Sequence, residues 1–518
     1  MSLADLYASR FTFGTRFNDP SPVTASNLSG WFAAQLAAPS ADDPAVSRRL
    51  ALVQLPTTTT DSTGTATTQL LPLQDLRLAP SALWAIRASD TSANHAFTRR
   101  PADEVVAASW IRATFSPWQV QEVMTDFWHN HFSVDAYQTD LIAEMWPAYD
   151  QTLRANALGN FRAMLGAVTK SASMMYYLNQ AQSVAAQPNE NFAREVMELH
   201  TLGIARYLGE TTPAGAVGTG YSDADVQNAA RALTGWTIAD GNHPAADGTK
   251  PNTGAFLFSP KIHDAGAKTI FGQAFPAGGG QSEGETFLDM LAAHPGTAQT
   301  IATKLYIHFV QDVPPANDAL VAAMAKAFQA NVGSPTQIQQ VLSVLAASPE
   351  FAASAGAKVK TPFQFLISLL RVSGAEVNPV ANLSWGLSSL GAPLFHWSTP
   401  NGMPDVSNPW VGTNDMLRRW ALAFQITGEG SKILQDGAAT LFAQVPAGLS
   451  NAASAANYLI PPMLGSRASP ATVSAILNYA ATPEILGGST ALTNPQKLLA
   501  GVRALVGAIA ATPEFQTR

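Results

Sequence analysis

With 518 residues, 47% of them hydrophobic and only 13% charged, the chain is long enough for more than one core and too apolar for extended disorder. A net charge of −7 without clustered Lys and Arg argues against a nucleic-acid partner, and the scattered acids do not form an interaction tail. Cysteine is absent, which excludes disulfides, thiolate metal sites and a cysteine nucleophile.

No stretch reaches the ~18 uninterrupted apolar residues of a membrane span. The most apolar segments, 500–511 and 341–347, are core helices by length. The start, Met1-Ser-Leu-Ala-Asp, has neither the basic nor the apolar region of a signal peptide. Absence of cysteine suits an exported bacterial protein, so a periplasmic or secreted location is favoured over a cytoplasmic one.

In chain order, Asn27 caps a helix through Trp31, Ala34 and Leu36. Residues 57–68 are threonine-rich and read as a surface loop. A helix covers 103–113. Ser116-Pro117-Trp118-Gln119 has the form of an N-cap serine, a first-position proline and a capping-box glutamine. Behind it Val120, Val123, Met124 and Phe127 form one buried stripe. Pro188-Asn189 opens a helix with Phe192, Val196 and Leu199 inward and Gly203 at its end, and Ser222 with Asp225 opens another that runs to Gly235. Residues 255–258 and 268–271 are expected to pair as a small hairpin, and 274–281 is a Pro/Gly loop. Helices follow at 285–293, 297–310, 318–329 and 335–347. Three Ser/Thr-Pro-Glu phrases, at Ser348, Thr482 and Thr512, read as helix stops and turns. The fold expected is mainly α, a multi-helix globular bundle with a small β-hairpin insertion. Ser373-Gly374 marks a helix stop, and Gly374 to Ala381 a boundary between a main helical domain (1–375) carrying the His/Glu motifs and a C-terminal helical part (376–518) packed on it.

Chemistry concentrates between Asp126 and Lys268. In Asp126-Phe-Trp-His129-Asn-His131-Phe, an unbroken helix puts Glu122, Asp126 and His129 on one face and His131 on the apolar stripe, so the two histidines cannot serve one site together. The string His-Asn-His is not the motif of the HNH nucleases, and the basic surface is missing. In Asn189 to His200, Asn191, Arg194, Glu195 and Glu198 make a polar stripe opposite the apolar one, and a Glu–His pairing near a helix end is a frequent metal-ligand or acid/base arrangement. Arg231 is expected to partner a carboxylate of the preceding helix. His263-Asp264, in a glycine-containing loop, can supply a ligand or base with Lys268 as charge partner.

Together, Phe127 to Phe132, Asn189 to Gly203, Ala230 to Trp236 and His263 to Lys268 resemble signature blocks of a large bacterial family, domain of unknown function 1800. Arg10 to Gly14 resembles the family's opening, and Lys358-Val-Lys360-Thr361-Pro362 and Pro400 to Asp405 before Trp410 resemble its later blocks. The resemblance spans nearly the whole chain. It brings no activity with it, but it implies that His129, His131, Glu195, Glu198, His200, Arg231, His263 and Asp264 form one site.

Three readings follow. In a metal-dependent hydrolase, His129, His131, His200, His263 and Asp264 supply ligands for a divalent ion, zinc by default, while Glu195, Glu198 and Arg231 are catalytic. In a metal-free glycan-active enzyme, Glu195 or Glu198 is the acid of a carboxylate pair, and Trp128, Trp236 and Trp410 are candidate sugar platforms. In a non-catalytic surface or assembly protein, the polar stripe is a buried ion network. A small-molecule or glycan substrate fits the first two.

Overall fold

The computed structural model describes the whole chain except residues 40, 381–382, 436–439, 447–448 and 450. Helices dominate the described residues, and the strands form four two-stranded antiparallel pairs. The mainly α expectation is met. No helix among the described residues is long and apolar enough to cross a membrane.

The centre is built by three helices, Ala96–Phe115, Gln119–Phe132 and Asp140–Asn156, which pack on one another. Their interior holds Trp110, Trp128 and Trp146, all fully buried. Trp128 Nε1 donates to the Ala157 carbonyl at 2.9 Å, so its indole carries no unsatisfied proton into the core. The Glu190–Glu198 and Asp223–Leu233 helices pack as a pair, and Gln281–Ala293 joins them to Pro295–Phe309. At the C-terminal side Pro362–Ser373 packs on Ala96–Phe115 and on Thr413–Thr427. Gly374 ends Pro362–Ser373 at φ 65°, a left-handed cap that glycine adopts without steric cost. The other end of the expected boundary, Ala381, lies outside the described residues.

Local signals held where cap chemistry was complete. Asn189 accepts from Phe192 N at 3.1 Å, and Ser222 with Asp225 closes a reciprocal capping box. They failed at Ser116. The helix starts at Gln119, whose amide instead donates to the Ala113 and Ser116 carbonyls and accepts from Phe13 N. Residues 57–68 are no loop: Gln54–Thr60 pairs with Ala66–Pro72, a pairing that suits β-branched threonine. The expected hairpin is also re-paired. Asn252–Phe258 lies against Trp236–Asp240, while Lys268–Ile270 pairs with Gln273–Phe275. The Ser/Thr-Pro phrases stop one helix and start another, since Ser348 and Thr512 each cap a short helix with proline in its first turn.

Ser222→Ala removes the cap of a helix whose first turn is otherwise satisfied by side chains. It is expected to cost about 1 kcal/mol in urea unfolding, with no change of far-ultraviolet circular dichroism.

Candidate functional site

The eight nominated residues fall into separate networks, some buried and some half-buried. His129, on an unbroken Gln119–Phe132 helix, meets Asp150 at 3.0 Å beside Arg112, and its neighbour Glu122 is held by Arg154 at 2.7 Å. Burial works to raise the Asp150 pKa, but the His129 hydrogen bond and the Arg154 and Arg112 charges outweigh it, and the net shift is downward. His131 leaves the same helix on the other side. Lys304 donates to its Nδ1 at 3.1 Å, which makes Nε2 the protonated nitrogen donating to the His200 carbonyl, also at 3.1 Å. The two rings lie 6.1 Å apart, yet they face a cation rather than a carboxylate. Burial and the Lys304 charge push His131 well below its ordinary pKa and take His200 to about 3, while burial brings Lys304 to about 8.

Glu195 and Glu198 are half-buried on Glu190–Glu198. Burial, then the Glu198 charge, raises the Glu195 pKa, and Tyr221 donates to Glu198 at 3.2 Å. Arg231 does not reach this helix. It binds Asp264 at 2.7 Å, while the opposite pairing, Arg194 to Asp223 at 2.9 Å, links the two helices. The Arg231 hydrogen bond holds Asp264 below its usual pKa. His263 donates to the Thr234 carbonyl at 2.7 Å and has Glu283, itself bound by Lys268 at 2.7 Å, 3.5 Å from its other nitrogen. His263, Asp264 and Arg231 therefore do come together, with Lys268 and Glu283.

His129, the His131–His200 pair and the His263–Asp264 pair are thus three places, not one. Among the described residues no three His, Asp or Glu side chains gather as a metal would need. An ammonium at 3.1 Å from His131 also occupies the electrostatic position of a metal. This donor set does not fit a divalent ion. Trp128 and Trp236 are fully buried, which removes them as sugar platforms.

A different constellation lies around Asp126, one turn before His129 on the same helix. Two small cavities, of about 20 and 40 Å³, share Asp126, Phe363 and Leu394. The first reaches His129, Asp150 and Arg154. The second is lined by His308, Asp405 and Trp410. No hydrogen bond or ion pair among the described residues reaches the Asp126 carboxyl, and burial, reinforced by the Asp405 charge, raises its pKa to about 7. His308 Nδ1 lies 2.5 Å from Asp405 Oδ2, so the carboxylate fixes the tautomer and leaves Nε2 as a buried lone pair without a partner. Burial lowers the His308 pKa despite Asp405. Burial pulls Asp405 up, but His308, Lys358 and Arg518 win and hold it far below the carboxylate range. One face of the cavity therefore holds a carboxyl raised toward neutrality, and another a histidine shifted below its ordinary pKa.

Sequence reading reached Asp126 as a neighbour of His129 but missed His308, a lone histidine in the apolar run Tyr306-Ile-His-Phe-Val310 whose partner is 97 residues away. The only available signal for Asp405 was the block Pro400 to Asp405. Asn130 grips this block, its amide donating to the Met403 carbonyl at 2.9 Å and accepting from Met403 N at 2.7 Å.

The fold is mainly helical, with Asp126 and the hydrogen-bonded His308–Asp405 pair lining one small cavity. A sequence profile described as "Protein of unknown function (DUF1800)" matches residues 7–517, and the chain belongs to that family. No curated protein and no solved structure matches it.

Because His131 and His200 both titrate lower in the folded chain than unfolded, the unfolded state binds more protons below the ordinary histidine pKa. Their contribution to stability is complete above about 6.5 and is lost as pH falls toward the folded values. Urea unfolding is expected to show up to ~1.4 kcal/mol of loss per pH unit per histidine on the acid side. His200→Gln should reduce that slope. An unchanged slope in the variant rules out His200 as its source.

Proposed function

We propose that this protein is a metal-independent hydrolase that cleaves a bond to an oxygen leaving group, a glycoside or an ester, at the Asp126–His308–Asp405 cavity. The observation that carries this reading is the pairing, around one cavity, of an unpartnered carboxyl that titrates near neutrality with a neutral histidine whose free nitrogen is a lone pair. Environments that push two titratable groups in opposite directions assign acid and base. Segments from three of the blocks that carry the family resemblance line the cavity: Phe127 and Asn130, Thr361 and Pro362, and Met403 to Asp405 with Trp410.

In this reading His308 Nε2 takes a proton from water as the water oxygen attacks, and Asp405 stabilises the imidazolium that forms. Asp126 gives its proton to the departing oxygen. Exchange with solvent then returns a proton to Asp126 and removes one from His308. The cavity has room for about one water, so the scissile bond enters when the loop around Gly402 lifts from Asn130. Glu195 and Glu198 on one helix, and Arg231 with Asp264 apart from them, belong on this account to the scaffold.

The test is turnover of a panel of 4-nitrophenyl glycosides and 4-nitrophenyl acetate with EDTA present. Turnover of at least one is expected, falling on the order of a hundredfold in both Asp126→Asn and His308→Gln. Its pH profile should fall on the alkaline side near 7, where Asp126 loses its proton, and on the acid side as His308 gains one. Turnover unchanged in both variants, or no turnover of any substrate, contradicts the proposal. Stoichiometric zinc in protein purified without chelator, lost in His200→Ala, would instead support a metal-dependent hydrolase.

A further inference from the structure

Near the chain's N-terminal segment lies a cavity of about 520 Å³, within the ~300–1,000 Å³ typical of small-molecule sites. It lies apart from the Asp126 cavities and shares no lining residue with the one at His308. Its apolar wall includes Phe17, Trp31, Phe115, Pro462 and Met463.

Four cations line it, and they differ in how they are satisfied. Arg467 donates to the carbonyls of Met463, Leu464, Glu514 and Thr517 and is a strut. Arg371 bonds the carbonyls of Gly14 and Thr114 and lies 3.8 Å from Asp19. Lys360 and Arg16 have no such balance. Lys360 is 4% exposed, its ammonium donates to Ser368 Oγ at 3.0 Å and lies 4.0 Å from the Phe515 ring centre, and no carboxylate pairs with it among the described residues. Burial, reinforced by the like charges of Arg467, Arg419 and Arg518, drives its pKa well down. Arg16 lies 5.1 Å from the Phe115 ring centre with its buried Nε unpartnered, and Asp19 and Glu376 act on it only at a distance.

The acids on the wall are already engaged. Asp5 accepts from Ser466 Oγ at 2.5 Å, Asp43 caps Ala45 N at 2.7 Å, and Asp19 accepts from Ser21 N at 3.0 Å. A buried lysine without a counter-ion is costly, since desolvation is not offset by a paired charge. An anion entering this cavity supplies the missing partner, and the aromatic wall accepts an apolar body.

We infer that this cavity binds a small amphipathic carboxylate, its acid group taken up by the cationic lining to which Lys360 and Arg16 contribute and its apolar part by Trp31, Phe115 and Met463. The experiment is isothermal titration of the full chain with phenylacetate and octanoate, with phenylethanol and octanol as uncharged counterparts. One-site binding of at least one acid is expected, with its alcohol about tenfold weaker or worse. Lys360→Met and Arg16→Met should each weaken the acid by about tenfold, and Lys360→Arg should retain most of the affinity. Arg16 is less buried than Lys360, so its variant reports on binding even where Lys360→Met fails to fold. Equal binding of acid and alcohol, wild-type affinity in Arg16→Met, or no binding of either acid overturns the inference.

Discussion

The short contact between His308 Nδ1 and Asp405 Oδ2 ties the end of the Pro295–Phe309 helix to the 400–410 segment, and much of the centre is arranged around it. Lys358 donates to Asp312 at 2.8 Å and to the Asp405 carbonyl at 2.6 Å, and Asp312 accepts from Ser407 N at 2.9 Å. Arg518 reaches the His308 carbonyl at 2.7 Å, and Arg10 reaches that of Ser354 at 2.6 Å. Segments from both ends and the middle of the chain thus converge on one buried ionic cluster. Low charge content makes the outcome legible. Asp405 keeps its charge because cations surround it, whereas Asp126, with no donor in reach, keeps its proton instead.

The same rule separates the histidines. His131 is saturated on both nitrogens, by Lys304 and the His200 carbonyl, and its neutrality holds three elements together without leaving a lone pair for chemistry. His263 donates to the Thr234 carbonyl through Nδ1, while its Nε2 makes no hydrogen bond and lies 3.5 Å from Glu283. His308 has one nitrogen fixed by a carboxylate and the other left open beside a cavity, an arrangement it shares with His129 on Asp150. Buried networks of the first kind imitate catalytic motifs in sequence, because both place polar side chains at helical spacing on otherwise apolar elements.

Local physics in the sequence was readable wherever a motif closes on itself. The Ser222–Asp225 box and the Asn189 cap need only neighbours within three residues, and the mainly α character follows from periodicity over many turns. Strand pairing was not readable in the same way. Lys268–Ile270 and Asn252–Phe258 each have a partner other than the one proximity suggested, since pairing depends on register with Gln273–Phe275 and Trp236–Asp240. The site lay further out of reach. Helical spacing correctly sent His129 and His131 to opposite sides and put Asp126 beside His129. The partners that decide each role, Asp150, Lys304, Glu283, His308 and Asp405, come from elements whose packing no spacing rule specifies.

The central claim is that Asp126 carries a proton in the folded protein near neutral pH. Infrared difference spectroscopy of wild type against Asp126→Asn, followed through a pH titration, tests it directly. The account predicts a protonated-carboxyl C=O band that belongs to Asp126 and disappears with a midpoint of about 7. A midpoint in the ordinary aspartate range, or the absence of any such band assignable to Asp126, would contradict it.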